Sequence, residues 1–320
     1  MARIALMTLH GQGLILKDYA DDLRRHLAQR LNAAWDEVAF EPVYCQGILQ
    51  PSMRAVWQRT LSGSQVRQQE WRTFILFGMA DMVGLEARKE VPGSTYEQTQ
   101  LEIARKLLAA RDQLGGNGPV VFLTHSLGCQ ILSNYLYDAQ CPPSRVTAGI
   151  WRDIDAHAPE IAGHPLNDDE RAFLRGETIT CWVSTGCTIP VFVAADNRMR
   201  IRPIQALNDH FRWLNLYDPD DPFSWPLQPL GSGYDALVRD IRIKSAGRGQ
   251  ALTRHAEPLR PSDYWTDDDV LRVVSGTLDE LLAESMIEAT AWPPMWAANA
   301  TSSMRASASS VDTAPSDKHI

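Results

Sequence analysis

Cysteine is scarce in this 320-residue chain: Cys45, Cys129, Cys141, Cys181 and Cys187, an odd number with no pair at metal-ligand spacing. A disulfide framework and a thiolate metal site are both excluded as expectations, and the thiols read as small core residues in a reducing compartment. Positive charge is short as well. Lys and Arg number 31 against 39 Asp and Glu, a net charge of -8, so a basic surface for nucleic acid is not expected. Long apolar segments are the third absence. Ile4-Ala5-Leu6-Met7, behind Met1-Ala2-Arg3 and ended by His10, is too short for a secretory leader. The uncharged run Thr178 to Ala195 carries several Ser and Thr, with Gly186 and Pro190 in its middle, and reads as a strand and a turn rather than a membrane span. A cytoplasmic protein without a membrane span is the expectation, its oligomeric state open.

What is present alternates. Arg3 to Leu9, Glu37 to Tyr44, Pro119 to Thr124, Thr178 to Thr185, Arg212 to Tyr217 and, more weakly, Val238 to Ile243 have strand character. Helical periodicity fills the intervals. Lys17 to Leu31 puts Tyr19, Leu23, Leu27 and Leu31 on one face, and Thr95 to Ala110 opens with a capping-box spacing from Ser94. A last helix opens with the same spacing at Thr266 and continues through Val270, Val274 and Leu278. Strand–helix alternation predicts an α/β fold, a mostly parallel central sheet with helices on both faces. The main domain is expected over residues 1–290. Within it, 50–92 is rich in aromatic residues and methionine, and reads equally as a cap over the sheet or as core helix around Trp71 to Leu85. From 291 to 320 the Ala, Ser and Thr content predicts a disordered tail.

Four sets of residues carry chemistry. The apolar run Val120-Val121-Phe122-Leu123 ends in Thr124-His125-Ser126-Leu127-Gly128, and helical spacing of Leu127, Ile131, Leu132 and Tyr135 follows at once. A sharp strand-to-helix turn lifts a serine hydroxyl clear of the backbone. It also aims the first N–H groups of the helix at the point where negative charge develops. The places beside the serine must be small, and Thr124 stands where glycine is usual. Thr8-Leu9-His10-Gly11-Gln12-Gly13 follows the first strand, and Tyr217-Asp218-Pro219-Asp220-Asp221-Pro222 the fifth. Beyond Asp221 only His255 and His319 remain as histidines, the latter in the tail.

On these residues the chain resembles the α/β-hydrolases, in particular bacterial serine esterase and lipase-like members that begin at an inner strand. The likeness covers roughly residues 3–285 and keeps the family order of nucleophile, acid and histidine. It implies a serine hydrolase acting on a small acyl-ester substrate with no metal or organic cofactor. Ser126 is then the nucleophile, His255 the base, and Asp221 the orienting acid, with Asp220 and Asp218 as alternatives. The backbone N–H groups of Gln12 and Leu127 would form the oxyanion hole, in a loop of His10, Gly11 and Gly13 that His10 fixes. In similar proteins the base stands three residues ahead of a Tyr-Trp pair; Tyr264-Trp265 is kept here, but Pro261 has that place. A binding protein on the same fold with its base lost, and acyl transfer, thioester or amide cleavage on the same triad, are the competing expectations.

Overall fold

A computed structural model describes residues 1–61, 65–196, 202–244 and 262–290. Six strands form one sheet: β1 (Ile4–Leu9), β2 (Val38–Val43), β3 (Val120–His125), β4 (Ile179–Thr185), β5 (Arg212–Tyr217) and β6 (Val238–Arg242). Their order is β2-β1-β3-β4-β5-β6, and every pairing is parallel. The β-branched and apolar strand residues are buried on both sides, as a doubly covered parallel sheet requires. Alternate residues divide between two cores. Ala5, Met7, Leu9, Phe122 and Trp182 face one layer with α2 (Thr95–Leu114) and α3 (Leu127–Gln140). Ile4, Leu6, Val121, Leu123 and Val183 face the other, where Leu23 and Leu27 of α1 (Asp21–Leu31) meet Val270, Val274 and Leu278 of α4 (Asp268–Thr290).

Local chemistry sets the helix ends, and it moves the starts of α1 and α4 from where the pattern put them. α1 starts at Asp21, because residues 17–20 form turns closed by Tyr19 N–H on Leu16 O and Asp21 N–H on Asp18 O. At α2, Ser94 Oγ accepts from Glu97 N–H, but the Glu97 carboxylate bonds Gly93 N–H instead of closing the box on Ser94. Asp267, not Thr266, caps α4, its Oδ1 accepting from Asp269 and Val270 N–H.

Between β2 and α2 the chain is helical throughout Gln46–Leu49, Pro51–Leu61 and Gln69–Thr73, a π-helical turn at Phe74–Met79, and Ala80–Glu86. The run from Gln69 to Glu86 has one exposed and one buried face. Trp71, Ile75, Met79 and Val83 are exposed, while Phe77, Asp81 and Leu85 are buried. Its inner side meets Trp57 through Phe77 and the acidic loop through Phe74, whose ring lies 5.4 Å from that of Phe223. Among the described residues no helix is long and apolar enough to cross a membrane.

The strand order fixes where a ligand site can form. From β1 the chain steps outward to β2, then returns to place β3 on β1's other side. At such a switch point the loops leaving the carboxyl ends of the two inner strands part in opposite directions and open a crevice. Here those loops are His10–Gly13 and the turn at Ser126.

Candidate active site

Ser126 stands at the junction of β3 and α3 with φ 52° and ψ -118°. Glycine adopts that conformation in a type II′ turn; for a residue with a Cβ it costs about 1–3 kcal/mol. Four described non-glycine residues have positive φ, and Asn32, Gln68 and Arg88 are exposed while Ser126 is buried. The strain is therefore held by surrounding structure. Ser126 N–H donates to Thr185 O across the sheet, and its own carbonyl accepts from Cys129 N–H in the first turn of α3.

Close backbone approach explains the small neighbours. A Cβ on Gly128 would stand 2.5 Å from Leu9 O and 2.6 Å from His10 O, and one on Gly11 would stand 2.8 Å from Ser126 Cβ. No side chain fits either place without moving main chain. Thr124 replaces the usual glycine for a reason the turn alone does not reveal. Its Oγ1 accepts from the Trp182 indole N–H at 2.8 Å and lies 3.2 Å from Cys129 Sγ. Trp182 is fully buried and stacked on Trp213, so its N–H needs an acceptor inside the sheet layer.

The loop after β1 is pinned at both ends. His10 Nε2 accepts from Cys45 N–H, so its Nδ1 must donate to Gly11 O, and only the neutral Nδ1–H tautomer satisfies both. Burial pushes its pKa down to about 4, against a smaller upward effect of the Gly11 bond, so the ring stays neutral at physiological pH. Gly13 N–H donates to Asp81 Oδ2 at 2.9 Å, and Gly13 O accepts from Gln50 Nε2, which also reaches Asp81. Burial lifts the Asp81 carboxyl to about 6, partly offset by the Gly13 N–H and the amides of Gln50 and Gln46. Asp81 and Gln50 escaped the sequence reading. The available signal was a lone carboxylate inside the apolar run Phe74-Ile75-Leu76-Phe77-Gly78-Met79-Ala80-Asp81-Met82-Val83.

Gln12 occupies the crevice itself. Its side-chain Oε1 accepts from Ser126 Oγ at 2.7 Å and from Leu127 N–H at 3.1 Å. The serine hydroxyl and the first N–H of α3 thus converge on one oxygen.

The acidic loop after β5 separates its three carboxylates. Asp218 and Asp221 are buried; Asp220 is exposed. Asp218 Oδ1 accepts from Asp220 N–H, and Asp221 Oδ1 from Phe223 N–H. Asp221 Oδ2 accepts from the buried Tyr264 hydroxyl at 2.6 Å. The same Tyr264 ring lies 4.7 Å from that of His125, so one aromatic side chain ties the acidic loop to the end of β3. His125 Nδ1 lies 3.3 Å from Thr185 Oγ1. His255 and Pro261 lie outside the described residues, as does the tail from 291.

Among the described residues no group of three or more His, Cys, Asp or Glu could hold a metal ion. Cys45, Cys129, Cys181 and Cys187 are buried, and burial raises the thiols of Cys45, Cys181 and Cys187, which keeps these three protonated and unreactive. No known protein family and no curated protein matches the chain.

Proposed function

We propose that the protein is a serine hydrolase of the α/β-hydrolase fold that cleaves a carboxylic ester through an acyl-enzyme on Ser126. One observation carries the reading: a strained, buried serine at a β3–α3 turn whose hydroxyl and following N–H share a single acceptor position. An ester carbonyl oxygen at that position would have its carbon beside Ser126 Oγ. Attack forms the Oγ–C bond and moves the carbonyl electrons onto oxygen, where the N–H groups of Leu127 and Gln12 receive the charge. His255 takes the serine proton and passes it to the leaving alkoxide; water then reverses the sequence and frees the acid. Asp221 orients the imidazole, supported by its burial and its place after β5, with Tyr264 as a positioning residue for its carboxylate. Asp218 is the other buried carboxylate of that loop. Residues 50–92 serve as the cap, their Gln69–Glu86 run lying against Gln12 and Phe223.

The test is covalent labelling with a fluorophosphonate, followed by turnover of nitrophenyl esters of rising chain length. Labelling at one residue, abolished in a folded Ser126→Ala variant, is the expected result. A wild-type protein that is folded yet neither labels nor turns over any ester would instead mark a binding protein on this fold.

A further inference from the structure

Gln12 does more in this structure than lend a backbone N–H. Its Oε1 lies within hydrogen-bonding distance of both Ser126 Oγ and Leu127 N–H, the position that the serine hydrolase reading, on which this inference rests, reserves for the substrate's acyl oxygen. The group behind that oxygen is a planar sp² carboxamide, the same shape as the ester carbonyl it would have to make room for. The side chain is only 7% exposed. Gly78 of the π-helical turn closes over it, since a Cβ there would stand 3.6 Å from Gln12 Cγ. The next residue along, Gly13, is tied through its N–H to Asp81 and through its carbonyl to Gln50, so the helical segment above the crevice holds the loop that presents Gln12.

We propose that Gln12 is a self-inhibitory plug: the resting site keeps its own carboxamide oxygen on the acyl-oxygen position, and a substrate binds only when that side chain swings out. A carboxamide oxygen is a stronger acceptor than an ester carbonyl oxygen, so an ester in its ground state does not displace it by exchange of like for like. Two hydrogen bonds of ordinary net strength correspond to an unplugged fraction on the order of one in ten to one in a hundred. Apparent affinity falls by that fraction for every substrate alike, whatever its chain length.

The experiment compares the full-length wild type with Gln12→Ala and Gln12→Asn, the latter an amide one methylene too short to reach both donors. The readout is the second-order rate of fluorophosphonate labelling at Ser126, with a small and a bulky probe, alongside the melting temperature of each protein. Both variants keep the backbone N–H. Labelling faster by about 10- to 100-fold, by the same factor for both probes, supports the plug. Unchanged or slower labelling in a folded variant overturns it and assigns the side chain a supporting role at the serine. Acceleration confined to the bulky probe also overturns it, because that pattern means a widened pocket. Absence of labelling in all three proteins overturns the hydrolase reading and the plug with it, an outcome distinct from labelling at equal rates.

Discussion

Replacing Ser126 by glycine should leave the protein more stable than replacing it by alanine. Both changes delete the hydroxyl and its bond to Gln12, a net loss of about 0.5–1.5 kcal/mol. Alanine keeps the Cβ and with it the strain of φ 52°, ψ -118°, whereas glycine adopts that conformation freely and recovers about 1–3 kcal/mol. Glycine also loosens the unfolded chain, which takes back about 0.4–1 kcal/mol. The glycine variant should therefore exceed the alanine variant by about 0.5–2 kcal/mol, which in a domain of this size is a melting difference of about 1–3 °C. Asn32 supplies the calibration. It ends α1 on the surface at φ 50°, ψ -126°, nearly the same backbone state, with no contact to the crevice. Asn32→Gly against Asn32→Ala reads the strain term without any loss of site contacts. Thermal unfolding and urea titration at constant m-value would measure all four variants. If Ser126→Gly proves no more stable than Ser126→Ala while the Asn32 pair separates as expected, the serine turn stores no strain, and the argument from its geometry to its chemistry fails.

Gly128→Ala should destabilise by about 1–3 kcal/mol, because the new methyl meets the carbonyls of Leu9 and His10, both main chain. It should also lower ester turnover at least about tenfold by displacing Leu127 N–H, as a joint urea and nitrophenyl-ester assay would show. Asp221→Asn should reduce kcat by about 10⁴ through the wrong imidazole tautomer, Asp218→Asn far less, and the exposed Asp220→Asn hardly at all; a reversed ranking on nitrophenyl esters would reassign the acid. Asp81 predicts a pH signature. Its carboxyl is lifted from 3.8 to about 6, so between those values the folded protein holds a proton that the unfolded chain has released, and stability falls as pH rises across the window. Asp81→Asn removes that slope and should be more stable than wild type by about 1–3 kcal/mol at pH 8, the gap closing towards pH 4. His10 acts oppositely: its folded pKa near 4 makes stability rise with pH from 4 to 6.5, so the difference between the two proteins, not the wild-type curve alone, isolates Asp81.

Much of the sheet is legible in the chain because its determinants are local. β-branched and aromatic runs bounded by turn residues mark the strands; β5 falls at Arg212–Tyr217 as the pattern places it, and β4 loses one residue at its start. The crevice is legible only as far as its motifs are contiguous. Thr124 to Gly128 and His10 to Gly13 can be read in order, but what holds them cannot. Gly13 N–H meets Asp81 across 68 residues, Ser126 meets Gln12 across 114, and Thr124 owes its presence to Trp182, 58 residues on. Such pairings follow from topology, which brings the ends of β1 and β3 under the 45–86 segment. The π-helical turn at Phe74–Met79 was equally hidden, since its apolar spacing resembles that of an ordinary helix.

The local rules of folding are broken mostly in one place. A serine sits in a glycine conformation, an imidazole is buried and held neutral, a carboxyl is buried and raised, and a glutamine side chain saturates a hydroxyl that could do chemistry. All four lie at the carboxyl ends of β1 and β3 or in the helical segment lying against them. Stability is not the reason for the first three, since each lowers it or at best leaves it unchanged. Elsewhere the two cores are filled mainly by alternating apolar strand residues, and the buried polar pair Ser184 and Asn215 on β4 and β5 is satisfied by mutual and neighbouring hydrogen bonds. Deviations that concentrate where the topology already opens a crevice are what a functional site looks like in physical terms. Because Cys45, Gln50 and Asp81 hold both ends of the His10–Gly13 loop, a movement of the segment over the crevice is transmitted to Gln12. Access to Ser126 and the position of the Gln12 side chain beside it therefore depend on the same residues.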